Sequence, residues 1–291
     1  MIKKTLTYAK REALDLKADF YRSEKTDART IIYFHGGGLI YGTRYDLPEE
    51  YIQLFLESGY HLLACDYRLA PETKLPQIYQ DASDAVFWFK QNARQELGLT
   101  NDDFALFGRS SGAFLAINLA SDPALPKPFA ILSFYGYSSL KSTWVRTENL
   151  FFKKYPAISA TLCNAMILPH EIAEGAVEKR FALYLYSKQS GEWLSMVAGI
   201  PINQKLMDTY SLDPEQDFHF LPPIFLAHSL SDPDVPAVES EKLANGTLYH
   251  EFYQVEDLPH DFDTDTTKEE GALAYKAAIR FLGQLKDKDE L

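Results

Sequence analysis

Cysteine is nearly absent from this chain. Cys65 and Cys163 are the two in 291 residues, too few for a disulfide framework and without metal-ligand spacing. No apolar run reaches the 18 or so residues that a membrane-spanning helix needs. Basic residues are the minority, 29 Lys and Arg against 41 Asp and Glu, a net charge of −12. Such a surface repels nucleic-acid phosphates and anionic lipid. No G-x-G-x-x-G and no glycine loop ending in Lys-Ser/Thr is present, which argues against a nucleotide site. Repeats and low-complexity linkers are missing as well. The N-terminus is basic but lacks the continuous apolar stretch of a signal peptide, so the expected compartment is the cytosol. The C-terminal Lys288-Asp289-Glu290-Leu291 matches an ER-retention address, but without a signal peptide it reads as a chance match in a charged tail.

The apolar fraction is 46%, enough for a full core. It is organised in short runs bounded by Gly, Pro or Asp: Thr5–Tyr8, Leu14–Phe20, Thr30–Phe34, His61–Tyr67, Phe104–Phe107, Ala130–Tyr135, Ile224–His228 and Thr247–Val255. Continuous apolar runs of this length suit strands buried on both faces of a mostly parallel sheet. The first two alternate, as an antiparallel edge hairpin would. Between them lie helical patterns. Ile78, Ala82, Ala85, Phe89, Ala93 and Leu97 share one face of a helix from about Pro76. Ser111–Ala120 reads as a buried helix, and a last helix runs from about Thr267 to Leu285. The expectation is an open α/β fold with an eight-stranded sheet flanked by helices. The alternation breaks over residues 138–221, which carry helix-like pieces such as Glu171–Tyr186 but are no richer in aromatics than the rest. Residues 1–137 and 222–291 are therefore expected to form the core, with 138–221 inserted as a cap after the sixth strand.

Gly108-Arg109-Ser110-Ser111-Gly112 matches G-x-S-x-G. The motif is short, but its setting is informative: a strand, Phe104–Phe107, precedes it and an apolar helix follows. Serine in such a strand–turn–helix sits on a sharp, strained turn. Gly108 and Gly112 are expected because Cβ atoms there would collide as strand and helix pack. Ser111 is the rival nucleophile, but only Ser110 has glycine at both −2 and +2. After the strand Ile31–Phe34 comes His35-Gly36-Gly37-Gly38. Consecutive glycines let backbone N–H groups turn toward a ligand. Gly37, Gly38 and Ser111 are the expected donors to an oxyanion, and His35 is expected to brace the loop.

A serine hydroxyl needs a histidine to take its proton and a carboxylate to orient that histidine. On this kind of sheet the order is Ser, acid, His. The loop after Ile224–His228 offers Asp232, with Asp234 as rival. The loop after Thr247–Val255 offers His260, the last histidine in the chain. His228 and His250 fall inside or beside strands and read as core or edge residues. His61, His170 and His219 have no positional argument.

These motifs together resemble the hormone-sensitive-lipase branch of the α/β-hydrolase superfamily. The likeness rests on His35-Gly36-Gly37-Gly38, on Asp66-Tyr67-Arg68-Leu69-Ala70-Pro71-Glu72, on Pro76 and Asp81, and on the Ser110–Asp232–His260 order. Small bacterial acetyl and feruloyl-type esterases share the cap placement and the Asp-x-x-Val-Pro loop. A nearer likeness is to uncharacterised bacterial α/β hydrolases carrying Phe-Gly-Arg-Ser-Ser-Gly-Ala and His-Asp-Phe-Asp. The resemblance implies an α/β-hydrolase fold with a cap over the site. It also implies hydrolysis of small-molecule carboxylic esters with no cofactor; separately, no His, Asp or Glu cluster in the sequence resembles a metal site. Two features depart from the branch: Arg109 stands where it usually has Asp, and little chain precedes Thr30 to form an N-terminal lid. Peptidase or lactonase chemistry on the same residues, or a non-catalytic receptor on this scaffold, are the other readings.

Overall fold

The structure is a computed structural model that describes residues 2–25 and 27–289. The strands are β1 (Ile2–Lys10), β2 (Asp15–Arg22), β3 (Arg29–Phe34), β4 (Tyr60–Cys65), β5 (Phe104–Arg109), β6 (Ala130–Phe134), β7 (Ile224–Ser229) and β8 (His250–Val255). They form one sheet in the order β1-β2-β4-β3-β5-β6-β7-β8. β1 pairs β2, and β2 pairs β4, antiparallel; every other neighbour is parallel. The expected edge hairpin and mostly parallel sheet are both present. The helices are α1 (Glu49–Glu57), α2 (Leu75–Asn92), α3 (Ser111–Ser121), α4 (Ala160–Met166), α5 (Val177–Ser190), α6 (Trp193–Ala198), α7 (Gln204–Thr209), α8 (Val238–Gly246) and α9 (Glu269–Asp289). The tetrapeptide Lys288–Leu291 runs past the described residues at Glu290 and Leu291.

Because both faces of the sheet are covered, alternate strand residues feed two cores. Ile32 and Phe34 pack with Ile78, Ala82 and Phe89 of α2 and Phe114 of α3. Ile31 and Tyr33 pack with Phe55 of α1 and Tyr275 and Phe281 of α9. That is why these strands read as unbroken apolar runs. The strand order reverses at β3, which lies between β4 and β5, and the crevice beyond the carboxyl ends of such strands is where open α/β sheets bind ligands. The register brings those ends level: Phe34 stands opposite Gly108, and Arg109 opposite Phe134.

Some boundaries shift from expectation, each for a local reason. Residues 171–176 do not join the helix at Glu171–Tyr186. Gly175 instead exchanges both backbone bonds with Gly42, at 2.7 and 3.0 Å, and the helix runs Val177–Ser190 until Gly191 turns left-handed at φ 74°. Thr247 belongs to the end of α8 rather than the start of β8, its N–H and hydroxyl both donating to the Leu243 carbonyl. β4 ends at Cys65 rather than Tyr67, and the Asp66 side chain that follows pairs with the Arg44 guanidinium at 3.0 Å. Among the described residues no helix is long and apolar enough to cross a membrane.

Candidate active site

Ser110 is the link between β5 and α3, and it adopts φ 53° and ψ −119°, a conformation that costs a non-glycine residue energy. The Phe134 carbonyl holds its N–H at 2.8 Å, and its own carbonyl accepts from Ala113 and Phe114 of α3. The flanking glycines have no room for side chains. A Cβ on Gly108 would lie 2.1 Å from the Gly112 carbonyl carbon, and one on Gly112 would lie 2.1 Å from the Phe34 carbonyl oxygen. The second collision is with β3, so the +2 glycine also lets the elbow approach the neighbouring strand.

Gly37 and Gly38 both have positive φ, 94° and 62°. Their loop is tied on three sides. Leu39 N–H donates to Ser111 Oγ at 3.1 Å, Trp193 Nε1–H of α6 donates to the Gly38 carbonyl at 2.9 Å, and the Gly37 carbonyl receives Ile40 and Tyr41 N–H groups. Among the described residues the N–H groups of Gly37, Gly38 and Ser111 donate to no backbone or side-chain group. The Ser111 hydroxyl is thus committed to the glycine loop. His35 is wholly buried and stacks on Tyr67 at 4.2 Å, with Nδ1 close to the Gly36 carbonyl and the Tyr67 hydroxyl. Burial lowers its pKa. Its ring thus lies against the first carbonyl of the glycine run.

The loops after β7 and β8 bring two further side chains to Ser110. His260 Nε2 lies 2.8 Å from Ser110 Oγ, and its Nδ1 lies 2.6 Å from Asp232 Oδ2. Asp232 Oδ1 accepts the Asp234 and Val235 N–H groups at 2.8 and 3.0 Å. Burial pushes the Asp232 carboxyl up, but the charge of His260 and the hydrogen bonds from His228 and His260 outweigh it and hold the group well below the usual carboxylate range. For His260, burial favours the neutral ring. Asp232, with Asp234 and Asp261 behind it, prevails and raises the pKa to about 9. A proton on Nε2 blocks acceptance of another, so His260 can take the Ser110 proton only as the neutral ring. The expected kcat/KM for an ester substrate falls by about tenfold per unit as pH drops below about 9. A pH profile with its acid limb at 6 to 7 would contradict this.

Arg109 follows from its neighbours. Its Nε donates to the Tyr135 hydroxyl at 2.7 Å and lies 3.3 Å from Asp263 Oδ2. Asp263 is fully buried and also accepts from Tyr135 and Tyr275. The cation beside Ser110 is therefore engaged by a buried carboxylate. Arg109→Met leaves that carboxylate without its cation. The variant is expected to lose about 3–5 kcal/mol in urea unfolding. A loss below about 1 kcal/mol would mean that the pair carries little of the local stability.

A cavity of about 330 Å³ opens over Ser110 and His260, walled by Tyr41, Tyr184, Ala176 and Val177. Exposed carboxylates Asp46, Glu178 and Asp261 stand around it. The segment between β6 and β7 supplies one wall and is fastened to the core. Arg180 of α5 donates to the Ile40 and Ala70 carbonyls and pairs with Glu72 at 2.7 Å. Lys188 pairs with Asp234 at 2.7 Å, and the Tyr184 hydroxyl donates to the other oxygen of that carboxylate. The rival acid Asp234 is thereby committed to α5. His61 accepts the Ser23 N–H, and His250 lies exposed at the start of β8. His170 and His219 are exposed. Sequence reasoning missed His228, whose Nε2 reaches Asp232 Oδ2 at 3.0 Å. Its position four residues before Asp232 was the available signal. Among the described residues no group of three or more His, Cys, Asp or Glu side chains is arranged to hold a metal ion.

Residues 31–262 match a family described as having the alpha/beta hydrolase fold. The chain belongs to that hydrolase family. A solved alpha/beta hydrolase superfamily protein from Enterococcus faecalis is 28% identical, with a TM-score of 0.82 over 97% of this chain and 99% of that one. An esterase from Pyrobaculum calidifontis shares the hydrolase fold at 21% identity and a TM-score of 0.71, over 99% and 85% of the two chains. Among curated proteins, the non-reducing polyketide synthase ausA of Emericella nidulans is 36% identical over 146 residues, 45% of this chain. The match covers 6% of the synthase's own length.

Proposed function

We propose that this hydrolase cleaves small carboxylic esters through a serine nucleophile and an acyl-enzyme intermediate. The observation that carries the reading is the unbroken run of contacts from Ser110 Oγ to His260, 2.8 Å, and from His260 to Asp232, 2.6 Å, at the mouth of a cavity. The esterase among the fold neighbours is consistent with it. Ser110 Oγ attacks the acyl carbonyl as His260 Nε2 takes its proton. Asp232 keeps the other ring hydrogen on Nδ1 and stabilises the imidazolium. The N–H groups of Gly37, Gly38 and Ser111 receive the oxyanion, and the last stands at the N-terminus of α3, where negative charge is favoured. His260 returns the proton to the departing alcohol. Water then attacks the acyl-Ser110 ester with His260 again as base, releasing the acid. Residues 138–221 act as the cap over the core formed by 1–137 and 222–291. The proposed compartment is the cytosol.

The cavity size favours short acyl groups. Asp46, Glu178 and Asp261 around it, with Arg109 already engaged by Asp263, disfavour an anionic substrate. A panel of p-nitrophenyl esters from acetyl to long acyl, with succinyl and aromatic acyl members and aminoacyl amides alongside, tests the reading. The highest kcat/KM is expected for acetyl to butyryl esters, with succinyl about tenfold or more below butyryl at low salt. Hydrolysis confined to the amides would replace the esterase reading with a peptidase, and no hydrolysis at all would remove it.

A further inference from the structure

His228 lies near the carboxyl end of β7 with its ring wholly buried. Its Nε2 is 3.0 Å from Asp232 Oδ2 and 3.0 Å from the Val235 carbonyl oxygen. Both neighbours are acceptors, so the hydrogen sits on Nε2. Its Nδ1 is 2.7 Å from the hydroxyl of Ser240 on α8, itself fully buried. In the neutral ring Nδ1 accepts from that hydroxyl, which fixes the tautomer. Asp232 then receives four donors: two imidazole N–H groups on Oδ2 and two backbone N–H groups on Oδ1. Apart from the equivalent half-turn that exchanges its two oxygens, rotation of the carboxylate about Cβ–Cγ breaks this set.

We propose that His228, oriented by Ser240, is a positioning residue for the acid of the triad, holding the Asp232 carboxylate in place and tempering its pull on His260. This rests on the serine-hydrolase reading. Oδ2 divides its electron density between two donors. Without His228 it serves His260 alone, which strengthens the Asp232–imidazolium pair, while the carboxylate also becomes free to turn away from the ring. Both effects pass through Asp232, because His228 touches neither Ser110 nor the cavity. The other groups facing His260 are Asp234, Asp261 and the Tyr135 ring at 4.6 Å, and none of them contacts His228.

The test compares His228→Leu, His228→Gln and Ser240→Ala with wild type in the full chain, reading kcat, KM, the acid limb of kcat/KM and thermal melting on one short ester. His228→Leu is expected to lower kcat by about 10- to 100-fold with KM within about twofold, and to move the acid limb to higher pH. Glutamine places an N–H close to Nε2 and is expected to restore kcat to within about threefold of wild type. Ser240→Ala should lie between, about three- to tenfold down. A side chain that only fills the core would lower the melting temperature and leave the acid limb in place. The proposal is overturned if folded His228→Leu keeps wild-type kcat and limb, or if glutamine is as impaired as leucine. If the leucine variant does not fold, wild-type kinetics in Ser240→Ala overturn it instead. Ser110→Ala in the same assay separates the two readings: activity surviving there removes the triad and this proposal with it, whereas its loss beside unaffected His228 and Ser240 variants removes the proposal alone.

Discussion

Ser110→Ala is expected to lower kcat for a short p-nitrophenyl ester by on the order of 10⁶-fold, the cost of removing the nucleophile when base and acid act only through it. The fold should survive. The hydroxyl's hydrogen bond is to His260, while the elbow itself is held by backbone bonds from Phe134 and into α3 that alanine retains. A melting temperature near wild type with hydrolysis reduced to background is the expected pair of results. A rate within tenfold of wild type would mean that another group attacks the carbonyl.

Asp232→Asn is expected to cost about 10⁴-fold in kcat. The reason lies in the donors around the carboxylate. Oδ2 faces two imidazole nitrogens and Oδ1 faces two backbone N–H groups. Whichever way an asparagine amide turns, its NH₂ meets groups that also donate. Turned toward His260, it imposes the tautomer with hydrogen on Nε2, aimed at Ser110. Loss of the carboxylate charge also lowers the His260 pKa from about 9, so any residual activity should show an acid limb moved to lower pH. Rates measured from pH 6 to 10 check both points. An unmoved limb would show that Asp232 is not what raises it.

Much of this arrangement was legible before any coordinates. The apolar strands announced a sheet buried on both faces, and the order Ser110, Asp232, His260 followed from which loops leave the carboxyl ends of β5, β7 and β8. Gly108 and Gly112 could be read as steric necessities, and the collisions at 2.1 Å bear this out. Other features depend on contacts that spacing does not encode. α1 and α8 were not foreseen. α8 buries Glu239, Ser240, Leu243 and Ala244, a stripe too polar to stand out. His228 looked like any residue of a strand buried on both sides, because in such a strand alternation does not distinguish the face turned to the site. Arg109 pairs with Asp263, far along the chain, so its neutralisation appears only when β5 and the loop after β8 come together.

The central claim is that Ser110 is a nucleophile activated in place, and a fluorophosphonate probe tests it most directly. The account predicts one adduct per chain, mapped by peptide mass spectrometry to Ser110, formed more slowly as pH falls below about 9 and absent from Ser110→Ala. An adduct on any other residue, or undiminished labelling of the alanine variant, would contradict it.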